Sequence, residues 1–343
     1  MFVQTIFSAI IRENGSGRFA MKILVYLYDE SGKEKEVNLE EIDINNLNDQ
    51  QLLWINILER DAETVRRVTT ALHLIKVPIK GILRTRERPK IFKFQDFYHF
   101  FIISVEVDRM GKICPIPIDF LVGKNFVVTV HDGDVKYLQE FTRREKGERH
   151  IGDLDAESFV ATMLDLHIVS YFNVLEKIEK EVDEMDENIL RRDLEDEEFL
   201  KQMVKLRNEV SKLRRWFLPH RDIFYSLSRP DFKKAADADS LENFQLLNEH
   251  FESAVDSIES SRETVLSLFD LYTTKTSHRM NFLMKRLTFI TILVGSMGVI
   301  AGVLGMNFEE EFFKNANAFW FVIVGMLTLS ILITFYARKK NWF

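Results

Sequence analysis

The spacing of apolar and polar residues changes three times along the chain. Between residues 21 and 150, short apolar runs alternate with turn residues. Lys22–Tyr28, Leu52–Leu58, Ile91–Val107 and Phe126–Val130 are rich in β-branched and aromatic side chains and predict strands. Asp61–Leu74 has apolar residues at helical spacing behind an acidic start, which predicts a helix between strands. Residues 153–294 contain no glycine and only two prolines, as long helices require. Ala156–Leu190 and Glu197–Leu218 read as two helices separated by Arg191–Asp196, and Pro219 and Pro230 flank a break. From Ser240 to Met306 nothing obliges the helix to stop, a length of roughly 100 Å at about 1.5 Å per residue.

Two windows, Leu287–Phe308 and Ala318–Ala337, contain no charged residue. Each is about 20 residues long, the length that crosses a hydrocarbon core of about 30 Å. The short segment Asn307–Asn317 joins them as a helical hairpin. Arg279, Lys285 and Arg286 precede the first span, and Arg338, Lys339 and Lys340 follow the second. The positive-inside rule then places both the large N-terminal part and the C-terminal tail in the cytoplasm. The expected organisation is an N-terminal extension (1–20), a cytoplasmic α/β domain (21–150) and an acidic helical region (151–239). A stalk helix (240–286), a first transmembrane helix (287–308), an outer acidic loop (309–317), a second transmembrane helix (318–337) and a basic tail (338–343) complete it. Residues 1–20 carry no signal-peptide pattern and no expected function, and Met21 reads as a natural start.

Composition alone hides this division. Of 343 residues 29% are charged and 46% hydrophobic, with a net charge of −7 and a mean hydropathy of −0.11, figures that suit a soluble protein. The charge resolves into −8 for residues 1–286, −2 for the outer loop and +3 for the tail. An acidic body argues against nucleic acid and anionic lipid as partners and leaves cations. The single Cys114 rules out an intrachain disulfide and multi-cysteine zinc or redox motifs. The eight histidines form no HxH or HxxxH pair, and the carboxylates of Glu176–Glu198 read as a solvated helix face. No phosphate-cradling glycine loop or nucleophile motif points to an enzyme.

One stripe of the first span is small or polar from end to end. A heptad phase set on Asn281 selects Asn281, Thr288, Gly295 and Gly302, with Met284, Thr291, Gly298 and Gly305 three residues later. Backwards, the same phase selects Ser253, Asp256, Ser260, Glu263, Ser267, Asp270, Thr274 and Ser277. Two readings stay open: close helix packing through Gly298 and Gly302, or a wall facing water. A packed coiled-coil seam would be apolar in the stalk, so the continuous hydrophilic stripe fits a helix bundled around a water-filled axis. One such helix per chain encloses nothing, and a pore therefore requires an oligomer around a symmetry axis. At the outer end, Asn307 repeated around that axis becomes a ring of amide oxygens that can accept hydrogen bonds from a hydrated cation. Glu309, Glu310 and Glu311 would raise the cation concentration beside it.

Gly305-Met306-Asn307 closing the first of two C-terminal spans resembles the signature of the CorA family of magnesium channels. Asn281-Phe282-Leu283-Met284-Lys285-Arg286-Leu287-Thr288 is similar to that family's pore-helix entry, and Phe269-Asp270-Leu271-Tyr272 to its Leu-Asp-x-Tyr stretch. Trp54-Ile55-Asn56, Arg88-Pro89-Lys90 and the tail Lys339-Lys340-Asn341-Trp342-Phe343 also fit, so the resemblance covers about residues 21–343. It implies a funnel-shaped homopentamer in the cell (inner) membrane. Its fold would be an N-terminal α/β/α cytoplasmic domain, with a long stalk helix continuous with the first of two C-terminal transmembrane helices. It further implies a pore lined by Asn281, Met284, Thr288, Gly295 and Gly302 with a Gly305-Met306-Asn307 filter. Magnesium, with cobalt or nickel, would be transported ion and regulator, and no other cofactor is implied. Cytoplasmic Mg²⁺ would bridge Asp108 and Asp270 between subunits and hold the pore closed. The helical phase alone puts Asp270 near the lumen, whereas the resemblance puts it at an interface.

The chain departs from the family where a methionine constriction before proline is usual and Gly295-Ser296 stands instead, which shifts the expected gate toward Met284. Gly298 replaces a pore-side hydroxyl, and the loop Glu309-Glu310-Glu311 replaces the commoner Met-Pro-Glu. The related ZntB-like zinc transporters, possible proton-coupled carriers, usually have Gly-x-Asn in place of GMN, and Met306 argues against them. A non-transporting scaffold or sensor is the third reading, and the polar stalk seam speaks against it.

Overall fold

The structure is a computed structural model that describes residues 23–28, 34–36, 47, 51–84, 88–133, 135–145, 155–191, 197–232, 238–306 and 317–340. The chain divides into two compact units, residues 1–181 with 205–263, and residues 182–204 with 264–343.

The first unit is built on a seven-stranded sheet in the order β2-β1-β3-β7-β6-β5-β4. Its strands are β1 Ile23–Tyr28, β2 Glu34–Glu36, β3 Leu52–Ile57, β4 Lys90–Lys93, β5 Phe97–Val107, β6 Ile113–Gly123 and β7 Phe126–His131. Among the described strands only β3 and β7 pair in parallel. Alternation along the strands gives the sheet two apolar faces. Leu53, Ile55, Ile57, Leu121 and Val128 form one core with Val65 and Val68 of α1 (Ala62–Ala71), its C-cap Leu72, and Ile82 of α2 (Ile79–Ile82). Asp61 caps α1 by accepting from the Thr64 N–H at 2.9 Å. On the other face Trp54 meets Phe141 of α3 (Lys136–Glu145) and Phe159 of α4 (Ala156–Arg191) edge-on, at 5.7 and 5.6 Å. The result is an α/β/α sandwich.

The sequence pattern runs Ile91–Val107 together, whereas the chain turns back between β4 and β5, where the Phe94 N–H donates to the Phe97 carbonyl. It also misses β6, because Pro115 and Pro117 disfavour a central strand. They are tolerated because β7 pairs only with Ile118–Val122, leaving that end of β6 an edge. Pro117 lies opposite Ile103 of β5, and past the end of β4 the Ile103 backbone groups find other partners. Its N–H donates to His220 Nε2 at 2.9 Å, and its carbonyl accepts from the Tyr171 hydroxyl at 2.7 Å.

Under the α1 face, the buried Asp119 carboxylate accepts from Arg60 and lies 2.7 Å from His99 Nε2. Arg60 also donates to the carbonyls of Ile82, Pro117 and Val130. This buried guanidinium joins the loop after β3 to β6, β7 and α2.

The remaining helices are α5 Glu197–Phe217, α6 Arg221–Leu227 after a 3₁₀ turn at Leu218–His220, α7 Ala238–Leu304 and α8 Ala318–Lys339. Within the first unit, α7 buries Phe251 against Phe217 and Phe224, at 4.7 and 4.4 Å. Arg221 holds Glu252 through two nitrogens, at 2.9 and 2.7 Å. In the second unit, Tyr272 of α7 stacks on Phe199 of α5 at 5.9 Å, and Lys275 donates to the Ile189 carbonyl at the end of α4. The 67 residues of α7 run without a break, so the stalk and the first apolar span are one helix.

Candidate ion pathway

Among the described residues three helices are long and apolar enough to cross a membrane: Ala156–Ile189, Leu241–Leu304 and Phe319–Lys339. The most apolar stretch of the first is 61% buried within the protein, and that of the other two 0%. The first is therefore a core helix. The others expose Val294, Val299, Phe319, Phe321, Ile331 and Phe335, each more than 60% accessible, a continuous apolar surface that water would not support.

The side of α7 that meets α8 is defined by its half-buried positions. Phe289, Leu293, Ser296, Met297, Ile300 and Leu304 recur at helical spacing, and Met297 carries a direct contact to Ser330 of α8. At about 3.6 residues per turn, Asn281, Met284, Thr288, Gly295 and Gly302 fall on the opposite side, and all five are exposed. Nothing lies within 4 Å of where a Cβ would stand on Gly295, Gly298 or Gly302. The glycine stripe therefore does not serve packing inside the hairpin.

Chemistry along the stripe suits a hydrated cation. The Thr288 hydroxyl donates to the Met284 carbonyl at 2.8 Å, and the Thr291 hydroxyl to the Leu287 carbonyl at 2.9 Å. Their protons are engaged, so their oxygens face outward as acceptors for the O–H groups of a hydrated ion. At the helix end the Gly305 N–H bonds the Ala301 carbonyl and the Met306 N–H the Val303 carbonyl, a tightening to 3₁₀ geometry. A Cβ on Gly305 would stand 3.1 Å from the Ala301 oxygen, so glycine suits this turn. Gly305 and Met306 are exposed, while Asn307, Glu309, Glu310 and Glu311 lie outside the described residues.

The sequence profile of the CorA-like Mg²⁺ transporter proteins matches residues 49–339. The chain belongs to this family. The cobalt/magnesium transport protein CorA of Thermotoga maritima is 25% identical over 332 residues, covering 94% of this chain and 92% of that protein. The complete CorA magnesium transporter of Methanocaldococcus jannaschii superposes with a TM-score of 0.79 at 20% identity, over 95% of this chain and 100% of that one. The cytoplasmic domain of ZntB from Vibrio parahaemolyticus gives 0.61 at 11% identity, over 75% and 100%. CorA membership makes the chain a membrane transporter rather than an enzyme, with the fold of the full-length CorA structure.

The sequence-expected regulatory residues stand in different units. Asp108 closes the β5–β6 turn. Its Oδ1 accepts from the N–H groups of Met110 and Lys112, at 2.8 and 2.9 Å, and its Oδ2 lies 3.9 Å from Cys114 Sγ. Gly111 in that turn has φ +78°, the left-handed region that glycine enters without strain. Asp270 is exposed on α7, on the same stripe as Ser253, Asp256, Ser260, Glu263, Ser267, Thr274 and Ser277, all likewise exposed. Among the described residues no three or more His, Cys, Asp or Glu side chains are grouped to hold a metal.

Proposed function

We propose that this chain is the subunit of a homopentameric channel for divalent cations, Mg²⁺ and with it Co²⁺, in the cell (inner) membrane. Asn281, Met284, Thr288, Gly295 and Gly302 line its pore, and Gly305-Met306-Asn307 form its selectivity filter. The observation that carries this reading is the exposed small-and-polar stripe on the side of α7 opposite α8. A helix whose hairpin partner covers one face, and whose other face offers glycine and hydroxyl acceptors, is suited to surround a wet axis with its copies. The relatives named for cobalt and magnesium transport support the choice of ions. Glu309, Glu310 and Glu311 concentrate cations at the mouth, and Asn307 accepts from their bound waters without the grip of a carboxylate. The sheet domain and the basic tail lie on the cytoplasmic side, where Mg²⁺ bridging Asp108 and Asp270 of adjacent subunits favours closure. The domain boundaries given above are part of this reading.

Uptake into proteoliposomes tests it, with Mg²⁺, Co²⁺ and Zn²⁺ each measured with and without a pH gradient. Wild type is expected to pass Mg²⁺ and Co²⁺ without the gradient, and Asn307→Ala to lose uptake while its oligomer stays assembled. Undiminished uptake in that variant removes the filter assignment. Uptake of Zn²⁺ alone, driven by the gradient, would favour a ZntB-like zinc transporter instead.

A further inference from the structure

Between α7 and α8, near the charged borders of their apolar spans, lies an apolar groove of about 310 Å³ lined by Phe289, Ile292, Leu332, Ile333, Tyr336 and Ala337. The side chains of Ile292, Leu332 and Tyr336 are 45, 59 and 59% accessible, so the groove is open along the hairpin. Helical register places one lysine from each helix at its polar end. Lys285 precedes Phe289 by four residues and Ile292 by seven. Lys340 follows Tyr336 by four and Ile333 by seven, and its N–H still bonds the Tyr336 carbonyl at 3.1 Å, so the register holds to that residue. Residues three to four and seven apart share a helix face.

The stretches of α7 and α8 that border this mouth carry charge of one sign. Residues 271–306 and 317–343 contain Lys275, Arg279, Lys285, Arg286, Arg338, Lys339 and Lys340, and no aspartate or glutamate. Some of these have work elsewhere: Lys275 reaches the Ile189 carbonyl, and Arg286 stacks over Phe282 at 4.4 Å. Lys285 and Lys340 are exposed, and among the described residues neither is in an ion pair. The acidic total of residues 1–286 does not cancel this local charge, because exposed charges are screened beyond about 10 Å at physiological salt.

We propose that the groove is a binding site for an anionic phospholipid, with an acyl chain along Phe289, Ile292, Leu332 and Ile333 and the phosphate between Lys285 and Lys340. Apolar lining alone fits any lipid tail, whereas paired lysines at its mouth select a negatively charged headgroup. The site lies on the flank of α7 between the glycine stripe and α8, with Lys285 and Ile292 three and four residues from Thr288, and its occupancy depends on the hairpin lying in a bilayer and not on which ion crosses the pore.

The test uses the delipidated full-length oligomer in detergent, with phosphatidylglycerol and phosphatidylcholine of identical chains counted by native mass spectrometry. Wild type is expected to retain phosphatidylglycerol preferentially. Lys285→Gln with Lys340→Gln should weaken that retention on the order of fivefold for each lysine removed, and Leu332→Trp should weaken retention of both lipids by filling the groove. Equal retention of the two lipids by wild type overturns the proposal, as does unchanged selectivity in the double lysine variant. Competition by water-soluble glycerol phosphate as strong as by phosphatidylglycerol also overturns it, since the site would then be a phosphate site without a tail. So does a disulfide between Ile292→Cys and Leu332→Cys of different subunits in a Cys114→Ser background, because a second copy would then cover the groove. Ion uptake is not the readout, so failure of the channel reading leaves these outcomes distinct.

Discussion

Met297 and Ser330 set the rotation of α7 against α8: the thioether of one and the hydroxyl of the other meet at 3.7 Å. With that face turned to α8, the line through Thr288, Gly295 and Gly302 is turned away from it. Heptad phase alone leaves two uses for the glycines, and this contact removes packing against the chain's own second span. What remains is a pore wall or a contact with another copy.

Gly302→Leu separates these two. The single chain has open space at this position, so the hairpin tolerates the side chain. We expect the oligomer to persist on size-exclusion chromatography and Mg²⁺ uptake to fall at least about tenfold, because a leucine per subunit would project an apolar ring into the lumen. An oligomer that dissociates would assign the glycine to contacts between copies.

Asp108 requires a variant that separates metal binding from turn structure. Two backbone amides bond its Oδ1, so Asp108→Ala removes those bonds along with any ligand. Asp108→Asn retains an amide oxygen as acceptor and loses the charge. We expect Asp108→Asn to unfold within about 1 kcal/mol of wild type and to respond less to internal Mg²⁺ in patch-clamp inhibition curves. Unchanged inhibition would leave Asp108 a turn residue only.

The buried Arg60–Asp119 pair is expected to matter for stability rather than transport. Arg60→Met leaves the Asp119 carboxylate with His99 alone and three carbonyls without their donor. Removing one member of a buried ion pair typically costs about 3–5 kcal/mol, which should appear as a large drop in the urea midpoint of the first unit. A shift below about 1 kcal/mol would show that water replaces the guanidinium.

The helical parts of this architecture were readable because their signals are local. The glycine-free stretch and two charge-free windows announce α4, α5, α7 and α8, and Arg191–Asp196 separates the helices that end at Arg191 and resume at Glu197. The sheet was less readable because its reasons are distant in sequence. β6 accepts Pro115 and Pro117 only because β7 stops short of them, and Arg60 finds Asp119 from 59 residues away. Position along the glycine stripe follows from spacing, whereas its direction needs the contact with Ser330. The turn held by Asp108 escaped for a simpler reason: a carboxylate that caps a hairpin and one that binds metal look the same in a sequence.

The pairing of His220 with Ile103 makes acid a specific threat to the first unit. His220 Nδ1–H donates to the Phe217 carbonyl at 2.8 Å, which leaves Nε2 as the acceptor for the Ile103 N–H. A second proton on Nε2 would face that N–H and break the bond. Burial holds the imidazole down to about 4, and its neighbour His167, at 5.0 Å, is also pushed well below the usual range by burial. An unfolded histidine takes up its proton near pH 6.5, so stability is complete above that value and is lost as pH falls from 6.5 through about 4. For His220 the full loss is about 3 kcal/mol. Thermal unfolding between pH 7.5 and 4.5 should therefore show a midpoint that falls below pH 6.5, and His220→Gln, which can still accept from the Ile103 N–H, should make that fall shallower. An identical slope in wild type and His220→Gln would place the acid sensitivity in other groups.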